Sequence, residues 1–444
     1  MVPAKNFNEA FDQFTQQRSA APQWLEGIRK TGKERFFEHG LPSPKDEDWQ
    51  YTKLRTLNQT SFTWAATKEE ALVERAKRLF IAGAQNLVFN DGHLQAQEET
   101  SSDPGLRILP FEKACWEFGD LVQRLLKLSS QTSNAFLSLN EAFLGDGSLI
   151  HVRAGENVPK TLHILNFISG HPSPTACFPR HLIYLEKGAQ ANVIETIICA
   201  QAEGSPSLAF SNSVTDIILE DHAQISYAKF QKQAASHIYI GHTRFHHKAH
   251  SSAYSFFDIC GAGLSREGIG VELAEEFAES RMRGIFHARE RQHADYHVFV
   301  DHAASHTKSR QFFKGVAEDQ SRGVFNAQIK VRAGLKKIDA RQLTKNLLLG
   351  PQAEIDAKPT LEIDSDDVKC AHGAAIGRLR ADEIWYLQTR GIPKTKAESI
   401  LSAAFTQEVL LDIKDERQRQ EILQHQSRLD AILKESTSLD GGLL

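Results

Sequence analysis

The spacing of apolar residues changes twice along the chain, and the two changes divide it into three parts. From residue 5 to residue 80 the pattern is helical. Phe7, Phe11 and Phe14 fall at i, i+4 and i+7, and Trp24, Leu25 and Ile28 continue the 3.6-residue period. Pro42 and Pro44 interrupt it ahead of a charged, aromatic segment, P-K-D-E-D-W-Q-Y-T-K-L-R, at 44–55. Residues 68–81 read as an amphipathic helix with Leu72, Ala76, Leu79 and Phe80 on one side. The run N-L-V-F-N-D-G-H-L at 86–94 reads as a strand with an Asp91-Gly92 turn signal, and 111–127 and 132–144 return to helical spacing. The pattern predicts a mainly helical N-terminal domain over residues 1–145.

From Gly145 short β-rich runs follow one another with little helical pattern, from Leu149–Val152 through Thr161–Ile168, Ala191–Ile198, Ala223–Phe230 and Met282–His287 to Val324–Val331. Many strands without crossover helices exclude a doubly wound sheet and leave a sandwich, a barrel or a β-helix. One internal echo chooses among them. Y-L-E-K-G-A-Q-A-N-V-I at 184–194 resembles I-L-E-D-H-A-Q-I-S-Y-A at 218–228: a strand ends in Leu-Glu, turns, and restarts at Ala-Gln. Stacked rungs joined by similar corners produce that echo, so a parallel β-helix over 146–378 is the expected core. Helical spacing returns over 379–444. D-E-I-W-Y-L-Q-T-R-G at 382–391 is a helix closed by Gly391 at C′, and Pro393 stops its continuation. Ile400, Leu401, Ala404, Phe405 and Leu411 form the next apolar stripe, and 414–434 is a polar helix.

Composition adds little. The 444 residues are 41% hydrophobic and 24% charged with a formal net charge of −4, ordinary for a soluble protein, so no global charge recruits nucleic acid or an anionic membrane. There is no long apolar run and no apolar signal core at the start, and a cytoplasmic location is expected. The five cysteines, Cys115, Cys177, Cys199, Cys260 and Cys370, are widely separated with no C-x-x-C, which removes a disulfide framework and any local four-thiolate cluster motif.

Candidate chemistry concentrates in Lys358–Gly377. On an extended Val368–His372, Cys370 and His372 point the same way with Cα atoms roughly 6–7 Å apart. A thiolate and an imidazole so placed suit iron or zinc, yet two ligands do not close a tetrahedral site. Alternatively, Cys370 is a small core residue and His372 a turn residue. Other motifs carry less. G-A-G-L-S-R-E-G-I-G at 261–270 has Arg266 where the dinucleotide fingerprint needs glycine, and no phosphate-binding G-x-x-x-x-G-K-[ST] occurs, so this chain is expected to hold no nucleotide. His242, His246 and His250 read as a polar ladder on an outer strand face. His297, His302 and His306 fit no metal motif, and G-x-S-x-G is absent. Asp295, Asp301, Asp339 and Asp356 are the carboxylates a polysaccharide-cleaving β-helix would need, or they are solvated turn residues.

These residues together resemble the SufD family, the scaffold subunit of the SUF iron–sulfur cluster assembly machinery. The resemblance is carried by L-P-S-P-K-D-E-D-W-Q-Y-T (41–52), S-R-Q-F-F-K-G (309–315), D-Q-S-R-G-V-F-N (319–326), D-A-R-Q-L-T-K-N-L-L-L (339–349), K-P-T-L-E-I (358–363), D-D-V-K-C-A-H-G-A (366–374) and W-Y-L-Q-T-R-G-I (385–392). The paralogous SufB family shares several blocks, but D-D-V-K-C-x-H-G and D-E-D-W-x-Y-T fit SufD better. The resemblance implies a right-handed parallel β-helix between helical N- and C-terminal domains. It also implies a non-enzymatic role in a complex with SufB and the ATPase SufC. His372 is then expected at the SufB interface, helping to bind a transient cluster, with Cys370 beside it. Residues 382–412, among them Tyr386, Leu387, Arg390, Gly391, Leu401 and Phe405, are expected to dock SufC. Ala371 departs from a frequent serine, without expected consequence. Reduced flavin is associated with the family's complex, though no flavin motif is seen here. Whether the isolated chain pairs with itself stays open, as does a purely structural role in which Cys370 and His372 serve packing.

Overall fold

A computed structural model of the chain describes residues 5–18, 20–65, 76–97, 105–129, 134–169, 171, 173–200, 208–413 and 415–438. Its centre is a parallel β-solenoid of about seven turns. Each turn gives one strand to a twelve-stranded sheet and one to a ten-stranded sheet. The two inner faces enclose alternate residues, largely Leu, Ile, Val, Phe and Ala, in one continuous core. The 184–194 and 218–228 echo is real stacking: Tyr184 pairs with Ile218, and Ala191 with Ile225 one sheet over. The same column then runs through Ala253, Ser280, Ser309 and Ala340 to Cys370.

The sheets begin before residue 145. Gln85–Asn90 and His93–Gln97 form an antiparallel hairpin at the first end of the ten-stranded sheet. Asp91 and Gly92 turn it with φ of 49° and 95°, the geometry a two-residue hairpin needs. Leu106–Pro110 closes the other sheet antiparallel to Gly147–Val152. Both sheets thus start on an antiparallel strand. At the far end they finish on Glu354–Ile363 and Asp367–Gly377, each with a strand on one side alone. Pro359, which lacks an N–H, sits on the first of these two edges.

Helix Gln23–His39 buries the predicted Leu25, and helix Asn8–Gln17 buries the predicted Phe11 and Phe14. Phe7, Phe36, Phe62, Phe136, Phe143, Phe178 and Phe210 join them in an aromatic cluster against the solenoid, with Phe143 stacked on Phe178 at 3.9 Å. Of the expected helix at 68–81, residues 68–75 lie outside the described residues. Residues 111–127 divide into two helices, Phe111–Glu117 and Gly119–Ser129. The N-terminal helix signal at 132–144 resolves to Ala135–Ala142, capped by the Asn134 side chain.

Besides the short Thr175–Cys177 and Ala209–Ser211, two long solenoid strands escaped the apolar pattern, Lys308–Ala317 and Lys336–Leu348. Their buried positions include Ser309, Gln311, Gln342, Thr344 and Asn346, so the inner face itself is polar there and the alternation signal fails. Polarity also fills the middle of the solenoid. Lys229, at most 2% exposed, lies 3.2 Å from Glu267 and 3.9 Å from Glu195, and the hydroxyls of Tyr227, Thr215, Tyr239 and Thr243 donate to those carboxylates.

After the last strand, Ala381–Thr389 ends as the sequence predicts. Gly391 has φ 82°, its N–H bonds Gln388, and the Ile392 N–H bonds Leu387, a Schellman closure. Lys394–Leu411 and Glu416–Ser438 then return along the ten-stranded sheet. No helix among the described residues is long and apolar enough to cross a membrane.

Candidate functional site

The strand Asp367–Gly377 pairs on one side with Lys336–Leu348: Val368 with Ile338, Cys370 with Ala340 and His372 with Gln342. Those three partners are buried in the interior, so Val368, Cys370 and His372 continue the same inward-facing columns. Among the described residues the strand has no neighbour on its other side. Cys370 is therefore half-buried against the end of the core and His372 is exposed at the mouth of the solenoid. The sequence expectation of a shared face holds, and the face is the inner one. Burial raises the Cys370 thiol above its ordinary range, the Ala340 backbone pulls it down and nearby Asp339 adds to the rise. A metal must displace that proton before the sulfur can bind it. Among the described residues no three His, Cys, Asp or Glu side chains converge on one metal position. Cys370 and His372 could supply at most two ligands to a metal.

The other candidates disperse. Each of the four aspartates sits beside an arginine: Asp295 with Arg266, Asp301 with Arg332, Asp339 with Arg310 and Asp356 with Arg322. They are spread over both sheets rather than around one groove. His242 meets Asn134 at 3.1 Å and His246 meets Glu272 at 2.9 Å on the outer face. His250 has left the strand for a corner with φ 58°, stacked between His222 and Phe277. His302 is interior, bonded to Thr307 and Ser309, and His306 stacks on Phe277. His297 lies 3.7 Å from Asp48. The glycine-rich stretch at 261–270 is a corner, Gly261-Ala262, leading into the strand Leu264–Leu273.

The residues expected to meet a partner lie on the two helices after the last strand. Tyr386, Arg390 and Gly391 are exposed, and Leu387 and Leu401 half-buried. Phe405 is engaged within the chain: Lys314 sits 3.9 Å from its ring centre and bonds its carbonyl. Trp385 is 67% exposed on the same helix as Tyr386, and Leu411, which the apolar stripe assigned to a packed face, is 71% exposed. Periodicity could not flag Trp385, because Ala381–Thr389 buries no residue at all.

The segment 44–55 has a structural purpose. Trp49 is buried beneath Arg266 with the guanidinium 3.9 Å from the ring centre, and Thr52 donates to Asp295 at 2.5 Å. Tyr51 approaches Arg322, and Glu47 pairs with Lys358 at 2.5 Å. One strap thus crosses four successive rungs on the outside of the twelve-stranded sheet, reaching the last one.

Comparison with known proteins places these features in context. Residues 167–405 match the family model described as SUF system FeS cluster assembly, SufBD core domain, and residues 1–164 match the SufBD protein N-terminal region. The chain is 28% identical over 428 residues to an iron–sulfur cluster assembly protein SufD of Escherichia coli, covering 92% of each chain. It is 28% identical over 384 residues to an iron–sulfur cluster assembly SufBD family protein of Synechocystis, covering 83% of each. With the SufD of Bacillus subtilis it shares 23% identity over 416 residues, 89% of this chain and 92% of that one.

Proposed function

The chain belongs to the SufBD family of the SUF iron–sulfur cluster assembly system, and on that premise we propose that it is a cytoplasmic, non-enzymatic scaffold subunit whose last rung lends His372 and Cys370 to a nascent cluster. The cluster is cargo, and the remaining ligands come from a SufB-type paralogue. One observation carries the reading. The solenoid ends on an unpaired strand, and that strand holds a thiol and an imidazole on one face at an open mouth. An exposed edge of this kind takes up a strand from another chain, and such pairing would bring ligands from the partner to within reach of His372. Incomplete ligation from each side leaves the cluster labile enough to pass on. A SufC-type ATPase supplies the energy, docking on the exposed surface around Trp385, Tyr386 and Arg390. Any flavin would be held by the complex rather than by a motif of this chain.

The packing of Cys370 against the core favours a second reading, in which the pair only seals the solenoid end and the chain shapes its paralogue. His372→Ala separates the two. Co-purified complex is reconstituted anaerobically with iron and sulfide. The scaffold reading expects cluster absorbance to fall severalfold while the subunits stay together. Unchanged cluster yield, or a complex that falls apart, favours the structural reading.

A further inference from the structure

Beneath His372 the inner face does not become apolar. Its register partner is Gln342, and the partner of Gln342 on the next rung is Gln311, both at most 3% exposed. Neighbouring strands lie about 4.8 Å apart, so each side chain in such a column can touch the next. The Gln342 amide is held from one end: its Nε2 donates to the Ala327 carbonyl across the interior at 3.3 Å. A carbonyl oxygen can only accept, so the amide end that faces it is the NH2 and the other end is the oxygen. The oxygen, Oε1, is buried and has no partner among the described residues, and neither end of the Gln311 amide has one there. A buried amide oxygen without a donor is unfavourable by itself.

The imidazole of His372 stands one rung above it in the same column, at the open end. A histidine that binds metal through one ring nitrogen usually donates the other N–H to a carboxylate or carbonyl, which selects the tautomer and orients the ring. We infer that Gln342 is the positioning residue for His372: its Oε1 accepts the inward ring N–H, so that the lone pair of the other nitrogen is directed out of the mouth toward iron. Gln311 keeps the column polar below it. The inference rests on the cluster-site reading above.

The test uses the assembled complex, reconstituted with iron(II) and sulfide, carrying Gln342→Met, Gln342→Glu or His372→Ala. Two quantities are read: the rate at which a ferrous chelator strips the cluster, and the pulsed-EPR quadrupole coupling of the remote imidazole nitrogen in the reduced cluster. Gln342→Met is expected to speed stripping by roughly tenfold or more and to shift the remote-nitrogen coupling, because second-sphere losses weaken metal sites about 10–100-fold. Gln342→Glu, which keeps an acceptor, restores the slow rate. Should Gln342→Met match wild type in both readouts while His372→Ala abolishes the nitrogen coupling, the positioning role is wrong and the cluster site stands. If His372→Ala changes nothing, both fall. Where Gln342→Met fails to assemble, Gln342→Glu decides: a stronger acceptor must move the remote-nitrogen coupling, and an unmoved signal overturns the inference.

Discussion

Removing one charge from the middle of the solenoid tests whether its polar interior is a structural element or an accident. In Lys229→Met the two carboxylates of Glu195 and Glu267, each at most 1% exposed, lose the cation they share. Burial already pushes the Glu267 carboxyl up. Against the same burial, Lys229, His181 and two hydroxyl donors draw Glu195 down. Breaking a buried ion pair by removing one partner costs about 3–5 kcal/mol. A second route gives the same scale: protonating one carboxyl at pH 7, from a solution pKa near 4.3, costs about 3.7 kcal/mol at 1.36 per unit. The assay is urea unfolding followed by circular dichroism, with an expected fall in the midpoint of order 1 M. Two controls fix the mechanism. Lys229→Met combined with Glu195→Gln and Glu267→Gln should recover most of the loss, since a neutral hydrogen-bonded interior leaves no uncompensated charge. The deficit relative to wild type should also shrink as pH falls from 7 toward 4.5, because a carboxyl raised in the folded state penalises folding least once it is protonated in both states. A single variant within about 1 kcal/mol of wild type at pH 7 would refute the reasoning.

Acid should unfold the chain steeply. Burial holds His181, His237, His293 and His302 down to about 4, and His247 and His425 to about 3, so they are neutral when folded. Once unfolded each regains a pKa near 6.5, the unfolded state binds more protons, and stability falls below about pH 6.5 by up to roughly 1.4 kcal/mol per pH unit for each ring. Urea midpoints measured from pH 7.5 to 4.5 should therefore drop with a slope of several protons, and a slope of one or less would contradict the assignment. In the strap, Trp49→Ala should destabilise by about 3–5 kcal/mol, since it empties a fully packed aromatic site beneath Arg266. Glu47→Gln, at the exposed end of the same strap, should leave the thermal transition in place. Equal effects from the two would mean that the strap is not anchored at Trp49.

The chain order of helices, stacked strands and helices was legible from spacing alone, because amphipathic periods follow from local geometry and each core residue must find its face. The Leu-Glu, turn, Ala-Gln echo gave the solenoid, since stacking puts equivalent corners in register: Leu185 over Leu219 is a contact between rungs. Gly391 and the Asp91-Gly92 turn were equally readable, as positive φ is a local demand. Cys370 and His372 could be placed on one face by their two-residue spacing. Which face it was, and that the rung above them is missing, depended on pairings thirty residues away that no local pattern records. The strands Lys308–Ala317 and Lys336–Leu348 stayed hidden for the same reason, since their inner glutamines, serines and threonines make sense only once the interior is known to be polar. Sequence determined the periods and the chemistry at hand. Tertiary structure decided which side chains the solenoid encloses, which it leaves at its open end, and which buried atoms still lack a partner, because each of these depends on contacts between residues far apart in the chain.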